Sequence, residues 1–129
     1  MEVLSVVGFT NMKRSEVWLV EFFPQVGDEI SKQRPAVIVN DDAVGRLKLR
    51  TIVPITDFKE SYRNYPWILA IEPSNSNGLS KHSAIDCFQI KNYSTHRFIK
   101  KIGSVSQNTI NEIHKRIAKT LDLRYKLDF

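Results

Sequence analysis

A compact, mostly β barrel with one helix packed on it at the C-terminal end is the fold this sequence predicts. Three observations carry that expectation. Short runs of β-branched and aromatic residues recur at close spacing, turn-forming residues fill the segments between them, and the hydrophobic period becomes helical only near the C-terminus. At 129 residues the chain has the length of a single domain, 1–129, large enough for one core and too small for two.

Taken in order, the first 12 residues open with the apolar set Val3, Val6, Val7 and Phe9, enough for an added strand. No basic segment precedes this set and no small-residue cleavage site follows it, so it does not read as a secretory leader. Val17 to Phe23 is a strand that stops at Pro24, where Gly27 and Asp28 mark a long loop. Ala36 to Asn40 reads as a buried strand beginning after Pro35, whose missing N–H is tolerable at a strand's first residue. Leu47 to Ile55 alternates, with Leu47, Leu49, Thr51, Val53 and Ile55 on the face expected to be buried and Lys48 and Arg50 on the half-polar one. Trp67 to Ile71 and Ala84 to Ile90 are two further strands, separated by the turn-rich segment Pro73 to Gly78. Ile110, Ile113, Ile117, Ala118 and Leu121 then form one stripe of an amphipathic helix, with Ser106 as N-cap and Ser104 with Gln107 as a possible capping box.

The formal charge of +5 favours a polyanionic partner if the basic groups cluster. Cys87 is the single cysteine, so no intramolecular disulfide can form, and no Cys/His set has zinc-ligand spacing. No metal or cofactor is expected. No run approaches the roughly 20 apolar residues needed to span a bilayer, so a soluble, cytoplasmic protein with no membrane partner is the expectation.

The order Lys13-Arg14-Ser15-Glu16-Val17-Trp18, then Gly27-Asp28-Glu29, Gln33-Arg34-Pro35-Ala36-Val37 and Ile52-Val53-Pro54-Ile55-Thr56 resembles the MazF/PemK toxin family. The resemblance runs from Lys13 to Leu123, weakly after Phe58, and leaves the first 12 residues as an extension outside it. It implies an SH3-like barrel of antiparallel strands with a C-terminal α-helix, the CcdB/PemK-like fold, working as a homodimer. It further implies the toxin of a type II toxin–antitoxin pair, a metal-independent endoribonuclease that cuts single-stranded mRNA at a short sequence. Its partner would be a cognate antitoxin, acidic and partly disordered, suited to a basic surface.

Metal-free RNA cleavage lets the ribose 2′-hydroxyl attack the adjacent phosphate in line with the departing 5′-oxygen, which yields a 2′,3′-cyclic phosphate and a 5′-hydroxyl. The protein must gather charge on the phosphoryl oxygens, accept one proton and return another. Arg34 matches the family's catalytic arginine, and a planar guanidinium suits the first task because it can hold two phosphate oxygens at once. Thr56 matches the second active-site residue, whose hydroxyl can donate to a phosphoryl oxygen. Glu29 matches the family's loop glutamate, assigned in some members to proton transfer or substrate contact, and Asp28 beside it could raise one of the two pKa values. Lys32, Gln33, Lys81 and Lys91, together with Asp28, are the expected RNA-binding residues. Each has an ordinary alternative: Arg34 could pair with Glu29, Thr56 could start a turn with Asp57, and the basic and aromatic residues from Lys81 to Lys101 could be a solvated face over core rings. His82, His96 and His114 can titrate near neutrality but match no catalytic position.

Three departures from the family pattern bear on function. The opening Arg-Gly-Asp is Arg14-Ser15-Glu16 here, the loop Ile30-Ser31-Lys32-Gln33 lacks the usual glycines, and the arginine and aspartate used by the Kid branch correspond to Asp86 and Phe88. The rival readings are a non-enzymatic gyrase inhibitor like CcdB, whose Trp-Gly-Ile ending is not matched by Tyr125 to Phe129, and an RNA-binding barrel that has lost cleavage.

Overall fold

The computed structural model describes residues 12–124. The expected N-terminal strand, apart from Met12, and the tail Tyr125 to Phe129 lie outside them. Seven strands and one α-helix follow in the order β1 (Glu16–Glu21), β2 (Gln33–Ile38), β3 (Leu49–Asp57), β4 (Ile68–Ile71), β5 (Ser83–Asp86), β6 (Lys91–Ser94), β7 (Phe98–Ser104) and α1 (Gln107–Thr120), with four short 3-10 turns between. All pairings are antiparallel, in the spatial order β4-β5-β3-β2-β1-β7 with β6 also on β3.

β3 is the hub. Its first half pairs with β6 from Leu49↔Ser94 to Ile52↔Lys91, and its last three residues pair with β5 from Ile55↔Ile85 to Asp57↔Ser83. The 3-10 turn Cys87–Gln89 breaks β5 from β6 opposite Pro54, a residue with no N–H to lose there. On the other edge β2 pairs only from Ala36↔Pro54 to Ile38↔Ile52. The Val39 N–H donates to the Thr51 carbonyl, and counting back by alternation puts the ring nitrogen of Pro35 on the β3 side, opposite Ile55. Pro35 has no N–H to give, so the ladder ends. Beyond this point β2 stays with β1, through Val20↔Arg34 and Glu21↔Gln33, while β3 stays with β5. The sheet therefore divides in a V. Strand β2 begins at Gln33, earlier than expected, because β1 offers its partners on that side.

Two apolar clusters fill the interior. Val17, Val37, Val53, Ile55, Ile85, Ile110 and Ile113 form one under the helix; Val20, Phe22, Ala36, Ile38, Ile52 and Phe98 form the other. β3 contradicts the simple alternation expected of it. Leu47 and Leu49 are 57% and 48% exposed, whereas Arg50 is only 1% exposed. The reason is hydrogen bonding: the Arg50 guanidinium donates to the carbonyls of Met12, Gly45, Leu47 and Leu49 at 2.6 to 3.1 Å. Burial of an arginine is tolerable when its donors are met this way. β6 and β7, both unassigned from sequence, complete the sheet.

Helix α1 begins where expected. Ser106 Oγ accepts the Thr109 N–H at 3.2 Å, and Ile110 and Ile113 are fully buried. Ser104 closes β7 instead of forming a capping box, and Leu121 is the exposed C-cap. Ser106→Ala is expected to cost about 1 kcal/mol of unfolding free energy, the usual worth of an N-cap, measurable as a fall in the urea midpoint with no change in slope. Among the described residues no helix is long and apolar enough to cross a membrane.

Candidate active site

The V between β2 and β3 is an open cleft of about 270 Å³. Gln33, Arg34 and Pro35 line one wall and Ile55, Thr56 and Asp57 the other; Gly78 to Lys81, Ser83 and Ile102 close the back. Ala36 faces Pro54, so two residues further along each strand Arg34 and Thr56 fall on the same face. The structure thus brings together the Arg-Pro arginine and the Ile-Thr threonine that the sequence separates by a strand and a turn.

Arg34 is held at its backbone by Val20 on β1. Its Nε is buried and has no hydrogen-bond partner among the described residues. A buried donor of this kind carries an uncompensated desolvation cost that a bound oxyanion would relieve. Arg34 does not pair with Glu29. Thr56 lies within β3, paired with Ala84, and starts no turn.

The back wall is set by close backbone contact. Gly78 has φ +71°, and a Cβ there would fall 1.9 Å from the Ile102 carbonyl oxygen; one on Gly103 would fall 2.4 Å from the Asn77 carbonyl carbon. Buried Asn77 ties the loop internally, accepting the N–H groups of Ser74 and Leu79 and donating to the Glu72 carbonyl. At the rim the Lys81 ammonium lies 3.1 Å from both oxygens of Asp57. Ser83 Oγ donates to the Lys81 carbonyl at 2.7 Å.

Of the expected site residues, Arg34, Thr56, Gln33 and Lys81 share the cleft. Glu29 does not line it. Its carboxylate accepts the Val26 N–H at 2.9 Å and pairs with Lys91 at 3.3 Å. The Val26 N–H, aided by Lys91, holds this carboxyl below the usual glutamate range. A carboxylate so charged has no proton to give at neutral pH, and its position orders the β1–β2 loop, which Ile30 also anchors by donating to Gln89. Lys91 is thereby engaged, Asp28 is exposed on the loop, and Lys32 lines a separate groove with Phe23 and Pro24. Lys32 adopts φ +67°, so it takes up a left-handed backbone turn that glycine would adopt without cost.

Several basic and aromatic residues have structural duties. Tyr93 lies under Arg97, 4.5 Å from its ring centroid, while Arg97 donates to the Glu21 and Phe23 carbonyls. Trp18 packs edge-on against Phe98 with its indole N–H on Glu16, whereas Phe23 is largely exposed. Asp86 accepts from the Phe88 N–H and the Gln89 amide, which closes the turn after β5. Burial pushes the Cys87 thiol up to about 12, so it stays protonated and unreactive. None of the three histidines lines the cleft. Two features of the cleft were not expected from the sequence: Asp57, whose signal was its place beside the Ile-Thr pair, and the back wall of Gly78, Leu79, Ser80, Ser83 and Ile102.

Known proteins are similar to this chain in sequence and in fold. The endoribonuclease MazF9 of Mycobacterium tuberculosis is 30% identical over 118 residues, covering 87% of this chain and 98% of that protein. The crystal structure of MazF from Deinococcus radiodurans superposes with a TM-score of 0.71 at 18% identity, over 86% of this chain and 96% of that one. A mycobacterial endoribonuclease solved in complex with its cognate antitoxin gives 0.69 at 21% identity, over 88% and 98%. These two likenesses carry the CcdB/PemK-like fold. The family model of the PemK-like, MazF-like toxins of type II toxin–antitoxin systems matches residues 13–121, and this chain belongs to that family.

Proposed function

We propose that this chain is the toxin of a type II toxin–antitoxin pair and an endoribonuclease that cuts single-stranded RNA without a metal ion. Arg34 gathers charge on the phosphoryl oxygens as the 2′-hydroxyl attacks, and the Thr56 hydroxyl donates to one of them or aligns the nucleophile. Gln33 and Lys81 contact the strand on either side. The observation that carries this reading is the Arg34 guanidinium, set beside Thr56 in an open cleft with a buried Nε that no protein group satisfies among the described residues. A relative crystallised with its antitoxin and the charge of +5 support an acidic, partly disordered antitoxin as the partner. The working form is a cytoplasmic homodimer.

Glu29 is left out of proton transfer because its carboxylate is tied to Val26 and Lys91 on the β1–β2 loop and does not line the cleft. No observation favours gyrase inhibition, since the cleft carries the endoribonuclease pair Arg34 and Thr56. The test is the mapping of product ends after incubation with a long in vitro transcript. Cleavage undiminished by excess EDTA, with 5′-hydroxyl and 2′,3′-cyclic phosphate ends, is the expected result. Inhibition by the chelator together with 5′-phosphate ends would point instead to metal-assisted hydrolysis.

A further inference from the structure

Transesterification needs a base for the 2′-hydroxyl proton, and with Glu29 outside the cleft that role is unfilled. Of the described residues lining the cleft, the ionisable ones are Arg34, Lys81 and Asp57. The first two are cations. Asp57 is the carboxylate among them, and it follows Thr56 directly on β3. Successive strand residues alternate in direction, so Thr56 lies on the face of Arg34 while Asp57 lies on the face of its register partner Ser83. Both line the β3 wall of one cleft, reaching it from opposite faces of the strand. In-line displacement requires that arrangement: charge stabilisation on the phosphoryl oxygens from one side and proton removal from another.

We infer that Asp57 is the general base of the proposed RNA cleavage and that Lys81 is its positioning residue, an inference that rests on the endoribonuclease reading above. The Asp57 carboxylate accepts the 2′-hydroxyl proton as the O2′–P bond forms and the P–O5′ bond breaks. The departing 5′-oxygen takes a proton from solvent water, and Asp57 then returns its own to solvent, leaving the protein unchanged. The Lys81 ammonium, bridging both carboxylate oxygens at 3.1 Å, fixes their orientation. An ionised carboxylate has lone-pair sites to spare, so it can hold Lys81 and accept the hydroxyl proton together. Other charged or titratable groups on neighbouring elements are Arg34 on β2, His82 beside Lys81 with Glu72 at 3.9 Å from it, and the Arg63–Glu60 pair on the turn after β3.

The experiment is a pH–rate profile on a short oligoribonucleotide carrying the site mapped from the long transcript. In the wild type kcat should rise with pH to a plateau as the base ionises. Asp57→Asn should lower kcat by about 100-fold or more and flatten that rise, on the scale of losing a general base, with KM little changed. Lys81→Met should lower kcat while the rise with pH remains, because the carboxylate is still present but no longer held in orientation. Asp57→Glu, which keeps the carboxylate, should retain the rise at reduced kcat. Retained binding of the 2′-deoxy oligonucleotide by each variant checks that the cleft is intact. Wild-type kcat or an unchanged rise in Asp57→Asn, or a folded Asp57→Glu that has lost the rise, overturns the assignment. If the wild-type protein itself yields no cyclic phosphate ends, it is the endoribonuclease reading that fails.

Discussion

Arg34→Ala is expected to reduce RNA cleavage by about 100-fold or more, the scale of removing one donor that acts on transition-state charge, and to abolish growth inhibition when the chain is expressed. Folding should be almost untouched, within about 1 kcal/mol of the wild type, as for substitutions that break no buried network. The contrast follows from the site. Arg34 makes no ion pair among the described residues and its buried Nε lacks an acceptor, so truncation removes an unsatisfied group and leaves no partner stranded. Circular dichroism and a urea melt beside a cleavage assay decide the matter; a folded, fully active Arg34→Ala protein would sink the assignment. Lysine at this position should recover little, because a point charge cannot grip two phosphate oxygens in a fixed plane.

Gly78→Ala should destabilise the protein by about 3 kcal/mol, combining the cost of a left-handed backbone for alanine with that of overpacking. In urea this corresponds to a midpoint lower by about 1 to 2 M. The first part is local, from φ +71°. The second arises because the new methyl would meet the Ile102 carbonyl 1.9 Å away, backbone that cannot rotate aside as a side chain can. Gly27 is the control: its φ is +58° but a Cβ there would meet nothing within 4 Å, so Gly27→Ala should show the local cost alone. Equal losses in the two variants would mean that the contact with β7 carries no energy. A larger loss at Gly78, accompanied by weaker cleavage, would tie the back wall of the cleft to its chemistry.

Strand β1, the terminal helix and its Ser106 cap were legible because each follows its own local pattern. The pairing of Arg34 with Thr56 in one cleft came from the family resemblance, whose motifs carried it, and no local pattern contained it. β7 was hidden because its pairing with β1 shifts register twice, which scrambles the two-residue alternation: Ile99 is exposed while Phe98 is buried. β6 is short and polar, recognisable only from its position along β3. At the start of β3 Arg50 is buried in place of Leu49, although Val53 and Ile55 are buried as expected; four backbone carbonyls converge on Arg50 from three different segments, and no local pattern encodes that convergence. Glu29 sits in the loop where expected, but its tie to Lys91 crosses from that loop to β6 and could not be read from spacing.

The division of the sheet at Pro35 places the two walls of the cleft on different strand ribbons that are joined at both ends. Arg34 rides on the β1–β2 ribbon and Thr56 on the β3–β5–β4 ribbon; three paired positions, Ala36↔Pro54 to Ile38↔Ile52, and the Val39 N–H on the Thr51 carbonyl join them at one end, and the Ser104 N–H on the Ser76 carbonyl joins β7 to the back wall at the other. The separation of guanidinium and hydroxyl is therefore set by these joints and by the apolar cluster to which both ribbons contribute. Amide exchange would report this as slow exchange at Val37 and Val53 at one end and at Ser104, whose N–H donates to the Ser76 carbonyl, at the other.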